Sequence, residues 1–225
     1  MTYDLYIGDR TFSSWSLRGW LMFEKFGLPY TLHEVGLYTG SMADDMAGLA
    51  PARLVPAVRT PQGEVIGETL AIAETLAERH PEAGLWPKSP SLRIKARWLC
   101  AEMATGFSAL RSACPMQLQH VKMGFEPDPQ VLSDLARIEE LWDCTGLSRP
   151  SGDWLLGTYS MADVFYAPVA ARMIGYDLPV CDVAKAYCAQ TINEPCFQAW
   201  RAAGLERTYD PAPYPNDLPN RPWPT

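Results

Sequence analysis

The first 99 of 225 residues contain no cysteine, and the six that follow (Cys100, Cys114, Cys144, Cys181, Cys188, Cys196) form no C-x-x-C pair. The expectation is therefore free, buried thiols, not a disulfide frame or a redox pair. Histidine is nearly as scarce. His33, His80 and His120 are far apart, with no second ligand at metal spacing. That leaves little for zinc chemistry or hydrolytic triads, and each is expected to be a structural or solvated histidine. The G-x-G-x-x-G, G-x-x-x-x-G-K-[ST], H-E-x-x-H and G-x-S-x-G patterns are missing. No run approaches the ~20 apolar residues of a spanning helix, and Met1-Thr2-Tyr3-Asp4 opens without a basic or apolar leader. A cytoplasmic chain is expected, with no membrane partner. Nineteen basic against 26 acidic residues give a charge of −7. That balance argues against a general nucleic-acid binder and against attachment to anionic lipid.

What remains is a globular composition, 48% hydrophobic and 20% charged. A chain of this length buries about 70–75% of its unfolded surface and needs no metal or disulfide to be stable. Its texture changes near residue 80. Tyr3–Ile7 alternates and predicts a strand. Ser13 and Ser14 then precede Leu17, Trp20, Leu21 and Glu24 at helical spacing, with a stop at Gly27 and Pro29. Tyr30–Val35 predicts a second strand and Ser41–Leu49 a short irregular helix. Pro56–Arg59 and Glu64–Ile66 form a hairpin around Thr60-Pro61-Gln62-Gly63, and Thr69–His80 a further helix. The succession is β-α-β-α-β-β-α over residues 1–82. The linker Pro81–Pro90 holds three prolines and a glycine.

Residues 91–209 read as all helical. Ser91 opens one periodic stretch through Cys114, stopped by Pro115. Further helices are expected over Gln130–Cys144, Ser160–Ile174, Val183–Thr191 and Glu194–Leu205. Ser160-Met161-Ala162-Asp163 has capping-box spacing, so Ser160 and Asp163 are read as a structural cap. The tail Asp210–Thr225 has six prolines and is expected to be extended, either wrapped or loose.

Five segments stand in order: Ser13-Ser14 at a helix start, Leu54-Val55-Pro56 before a strand, Gly67-Glu68-Thr69 before a helix, Phe107-Ser108-Ala109-Leu110-Arg111-Ser112-Ala113-Cys114-Pro115-Met116, and Asp153–Asp163 with Gly157 and Ser160-Met161-Ala162-Asp163. Each is weak alone; the ordered set resembles the glutathione S-transferase superfamily over essentially the whole chain, the tail apart. Ser13-Ser14-Trp15-Ser16-Leu17-Arg18 looks like the zeta-type Ser-Ser-Cys-Ser-x-Arg start. The resemblance implies a thioredoxin-like domain followed by an all-α domain, a homodimer, and glutathione as co-substrate without a metal. It also implies transfer of the glutathione thiolate to a small, largely apolar electrophile. A glutathione-dependent isomerase, dehalogenase or ether-cleaving enzyme is the alternative on the same fold, and a non-catalytic binding module the alternative outside enzymes.

The physics of the motifs agrees with that carry-over. Unpaired N–H groups and the positive dipole end at a helix start stabilise a thiolate. The thiol would come from glutathione, which fits the cysteine-free first part. Resemblance makes Ser13 the activator and leaves Ser14 as the helix cap; capping by both serines is the plain alternative. Trp15 stands where the zeta pattern has cysteine, which counts against isomerase and thiol-disulfide chemistry. Val55 and Pro56 resemble the family's cis-proline step, whose backbone pairs with glutathione like an added strand. Glu68 and Thr69 fit the γ-glutamyl group, and Arg53 the glycyl carboxylate or open solvent. Trp15, Phe107, Arg111 and Met116 are the candidates for the electrophile pocket. Arg111 suits an anionic substrate, a partner subunit or a salt bridge.

Overall fold

A computed structural model describes residues 2–144, 154–206, 214 and 217–224; the side chains of Asp143 and Cys144 lie outside the described residues. The first part runs β1 (Tyr3–Ile7), α1 (Ser14–Glu24), β2 (Tyr30–Glu34), α2 (Met42–Asp45), β3 (Ala57–Arg59), β4 (Val65–Ile66) and α3 (Thr69–Arg79). The sheet order is β2-β1-β3-β4, with β1 and β2 parallel and the other pairs antiparallel. A helical crossover between β1 and β2 makes that pair parallel. Tyr3, Leu5 and Ile7 turn inward from β1 to meet Leu17, Leu21 and Phe23 of α1. Gly19 allows α1 to press on the start of β3: a Cβ there would stand 2.5 Å from Pro56 Cβ. The Val55–Pro56 bond is cis, as is Ala50–Pro51.

After a 3-10 turn at Pro81–Ala83 come α4 (Pro90–Thr105), α5 (Ser108–Ala113), α6 (Pro129–Cys144), α7 (Met161–Gly175), α8 (Asp182–Ile192) and α9 (Pro195–Leu205). The single helix expected through Cys114 is instead two. Gly106 is extended and Phe107 is left-handed at φ 55°. A Cβ at Gly106 would meet the Glu102 carbonyl oxygen at 2.8 Å, so glycine makes the break possible. The part expected to be all helical also holds a small ladder. β5 (His120–Lys122) pairs antiparallel with β6 (Asn220–Pro222). Of the tail, residues 210–213, 215, 216 and 225 lie outside the described residues. Its last turn is fixed: Trp223 is buried, with the Arg201 guanidinium 5.3 Å from its ring centre. The architecture is a thioredoxin-like unit with a mixed sheet, followed by a mostly helical one.

α7 is the axis of the second unit. Every residue except Ile174 is buried, as befits a helix apolar on all sides. It packs on α4 and α8 and also on α1, which joins the two units. Cys100, Cys114 and Cys188 are buried thiols as expected, Cys196 is half-buried, and Cys181 is exposed at the cap of α8. Cys144 belongs to the side chains outside the described residues. The histidines are placed structurally: His80 Nε2 meets the Tyr3 hydroxyl and His33 Nε2 meets Asp4, each at 2.9 Å, while His120 is exposed on β5. Among the described residues no helix is long and apolar enough to cross a membrane.

Candidate active site

The loop from β1 into α1 is held by its own polar groups. Asp9 Oδ1 accepts from the Thr11 N–H at 2.7 Å and from its hydroxyl at 2.6 Å, and the Asp9 carbonyl accepts from Ser13 N–H. That loop delivers Ser13 to the N-cap of α1, correcting the expectation that Ser14 caps it. Ser13 Oγ accepts from Ser16 N–H at 3.4 Å, and its hydroxyl donates to Ser16 Oγ at 2.8 Å. Ser14 is the first helical residue. Its Oγ accepts from Arg172 Nη2 at 3.3 Å, which leaves its O–H free to donate.

Both serines line a cavity of about 650 Å³ between the two units. Trp15, Arg111 and Met116 line it as expected, and so do Leu54 and Val55. Phe107 does not. Its left-handed backbone turns it into the core, where it is 5% exposed. Pro56, Arg53, Glu68 and Thr69 are not on the cavity wall either. Ala52 Cβ would stand 3.7 Å from a Cβ at Gly67, which brings the segment before Pro56 beside the turn into α3. Glu68 holds φ 62° at that turn, a backbone that non-glycine residues rarely adopt. Thr69, behind it, is buried.

Three arginines surround Trp15 and Ser14. The Arg18 guanidinium lies 4.4 Å and that of Arg111 5.1 Å from the Trp15 ring centre. Arg172 comes from the buried face of α7. It donates through Nε to the Cys114 carbonyl at 2.9 Å and through Nη1 to the Pro168 carbonyl at 3.2 Å. Arg18 donates to the Phe165 and Ser14 carbonyls, and its Nη2 is buried without a partner. Among the described residues none of the three is ion-paired with a carboxylate. Burial, then the Arg111 charge, pushes Arg172 down to about 10, and burial likewise lowers Arg18. At about 10 Arg172 remains protonated at neutral pH, so the cavity wall carries a positive charge with no acidic partner among the described residues.

The capping box at Ser160 forms. The buried Asp163 carboxylate accepts from Ser160 N–H at 2.9 Å, Leu155 N–H at 3.1 Å and the Tyr187 hydroxyl at 3.1 Å. It lies inside the helical unit, which fits a structural part.

Sequence comparison decides the family. A Caenorhabditis elegans protein described as a probable maleylacetoacetate isomerase is 33% identical over 181 residues, covering 77% of this chain and 81% of that one. The chain belongs to the glutathione S-transferase superfamily, as a zeta-like member. The family description "Glutathione S-transferase, N-terminal domain" matches residues 12–79 of this transferase. A maleylacetoacetate isomerase from Rattus norvegicus is 28% identical, over 75% of this chain and 76% of its own. Two solved structures share the fold. A glutathione transferase homolog from Burkholderia gl BGR1 with bound glutathione has TM-score 0.68 at 19% identity, over 92% of this chain and 99% of that one. A glutathione transferase from Methylococcus capsulatus has TM-score 0.66 at 24% identity, over 91% and 100%. This zeta-like transferase is accordingly a glutathione-dependent enzyme.

Sequence reasoning missed two groups of the transferase's cavity. One is Arg172, whose signal was available: an arginine inside the otherwise uncharged run Val164–Gly175 has no reason to be there unless something binds it. The other is the pair Tyr38 and Tyr214, which also line the cavity. Nothing in their spacing pairs residues so far apart.

Proposed function

We propose that the chain ionises glutathione at the start of α1 and adds the thiolate to a small electrophile that carries a carboxylate. One observation supports the carboxylate above all: Arg172 is buried at the cavity wall, within hydrogen-bond distance of Ser14, with no acidic partner among the described residues. A buried guanidinium seeks an anion, and a substrate carboxylate supplies one. In this reading Val55, Glu68 and Thr69 hold glutathione, Arg53 meets its glycyl carboxylate, and Trp15 and Met116 flank the electrophile. The chain works as a homodimer.

Ser14 is the donor to the sulfur, because its O–H is uncommitted, while Ser13 keeps the helix end in shape. A hydrogen bond to a charged group is worth about 1.5–3 kcal/mol, or roughly one to two pKa units on the bound thiol. Ultraviolet absorbance of the bound thiolate tests this. Ser14→Ala is expected to lower it roughly tenfold at pH 7, whereas Ser13→Ala keeps it and loses about 1 kcal/mol of stability. The reverse result would return activation to Ser13, and glutathione bound without any thiolate in the wild type would overturn the proposal.

Isomerisation is the second reading, favoured by the names of the relatives and by the arginines together. The thiolate adds to a cis carbon–carbon double bond, the resulting single bond rotates, and expulsion of the thiolate restores the double bond as trans. Glutathione is then unchanged. Maleylacetoacetate separates the readings: an isomer formed without thiol loss supports the second, and a stable adduct the first.

A further inference from the structure

The first turn of α1 carries a third serine, behind the two that line the cavity. Ser16 is fully buried, whereas Ser13 keeps 8% exposure on the cavity wall. Ser16 Oγ accepts twice: from Gly8 N–H at 2.8 Å, just past the end of β1, and from the Ser13 hydroxyl at 2.8 Å. Those two bonds fill both lone pairs of the oxygen.

A helix start usually spends this residue differently. In a capping box the third helical side chain accepts from the backbone N–H of the N-cap. Here the Ser13 N–H already donates to the Asp9 carbonyl at 3.0 Å. Ser16 Oγ is released from that duty and takes the hydroxyl proton of Ser13 instead. The return bond, from Ser16 N–H to Ser13 Oγ, is 3.4 Å. Ser13 therefore keeps its oxygen on the helix end and its proton on Ser16. A hydroxyl has one proton, and spent on Ser16 it is not donated to a sulfur atom. Ser14, one residue on, accepts from Arg172 Nη2 at 3.3 Å and retains its own O–H. What separates the two cavity serines is the group behind each, and behind Ser13 it is Ser16.

We infer that Ser16 is a positioning residue that assigns the roles of the two cavity serines: by binding the Ser13 proton it withdraws Ser13 from the thiol and leaves activation to Ser14. This rests on Ser14 being the donor to the sulfur, and it adds a consequence. Activation lost at Ser14 can be regained at Ser13 by removing a buried hydroxyl that does not line the cavity.

The test follows the ultraviolet absorbance of bound thiolate against pH at saturating glutathione, as the difference between samples with and without glutathione. Ser14→Ala is expected to lower thiolate at pH 7 roughly tenfold, and Ser14→Ala with Ser16→Ala to bring it back to within about threefold of the wild type. Ser16→Ala alone frees both hydroxyls and is expected to move the titration midpoint down. Adding Ser13→Ala to the recovered variant is expected to abolish the recovery, because Ser13 supplies the donor. A purely structural Ser16 has the opposite sign: a loosened helix start raises the midpoint in both backgrounds. That result, a double variant no better than Ser14→Ala, or a recovery that survives Ser13→Ala would overturn the inference. Ser16→Ala also strands the buried Gly8 N–H, so the same set is made with Ser16→Cys. Its sulfur fills the space and is only a weak acceptor, so the same signs are expected at smaller size. Where the alanine variants fail to fold, absence of recovery in the cysteine set overturns the inference. Thiolate retained in Ser14→Ala sinks the reading of Ser14 and the inference with it; thiolate lost there and not recovered sinks the inference alone.

Discussion

Arg172→Met is expected to lower kcat/KM for a carboxylate-bearing electrophile by roughly a hundredfold while the thiolate absorbance of bound glutathione stays within about twofold. The magnitude follows from losing two hydrogen bonds between charged groups, about 3 kcal/mol together. Methionine fills similar volume and removes a charge that burial already disfavours, as the lowered Arg172 pKa shows. Replacing a buried charge by an apolar side chain is often neutral for stability. The Cys114 and Pro168 carbonyls lose a donor, so the melting temperature is measured alongside. Arg172→Lys retains the charge but not the fork and is expected to recover only part of the loss. Steady-state kinetics with a carboxylate electrophile and with its methyl ester separate charge recognition from general damage. If the ester and the acid suffer equally, Arg172 holds the fold and not the substrate. Bound substrate also raises the arginine's pKa, so in the wild type the preference for the acid is expected to fade as pH climbs toward about 10.

The sheet was legible because its signals are local. Tyr3, Leu5 and Ile7 alternate, Gly27 stops α1, and Thr60–Gly63 turns a hairpin; each needs only a few neighbours in sequence. The break at Phe107 was not legible, since helical periodicity runs straight through it. What breaks the helix is a glycine that permits the turn and a core that accepts the phenylalanine ring. The division of labour between Ser13 and Ser14 was equally hidden. One residue of register decides which hydroxyl turns back onto the helix and which faces the cavity. β6 was invisible because prolines argue against a strand. They are tolerated here in a short ladder with a single partner strand. Arg172 and Tyr214 reach Ser14 and Tyr38 across more than half the chain, and no pattern in one sequence pairs them.

Asp163 should set a pH dependence of stability whose sign is the reverse of ordinary acid denaturation. Its carboxyl is pushed up to about 6 by burial, against the downward pull of four hydrogen bonds, while in the unfolded chain it titrates near 3.8. Between those values the native state holds the proton more tightly than the unfolded state. Through this group, stability is therefore fully present below about pH 4 and is lost as pH rises through about 6. Two pKa units correspond to at most about 3 kcal/mol. Other carboxylates work the opposite way: Glu102, held down by Arg137, and Asp45, held down by Gly36 N–H, both lose stability on acidification. A non-titrating reference isolates the Asp163 part. Urea unfolding of wild type and Asp163→Asn at pH 7, 6 and 5 should show the wild type gaining on the variant as pH falls. Parallel curves would mean that the ionised carboxylate is as comfortable in the core as in water. A wild type that loses ground would mean that its hydrogen bonds outweigh its burial. Asp163→Ala should cost about 3–5 kcal/mol, because it strands the Leu155 and Ser160 N–H groups and the Tyr187 hydroxyl inside the core. The loss should reach the cavity as well, since α7 both starts at this cap and carries Arg172 to Ser14.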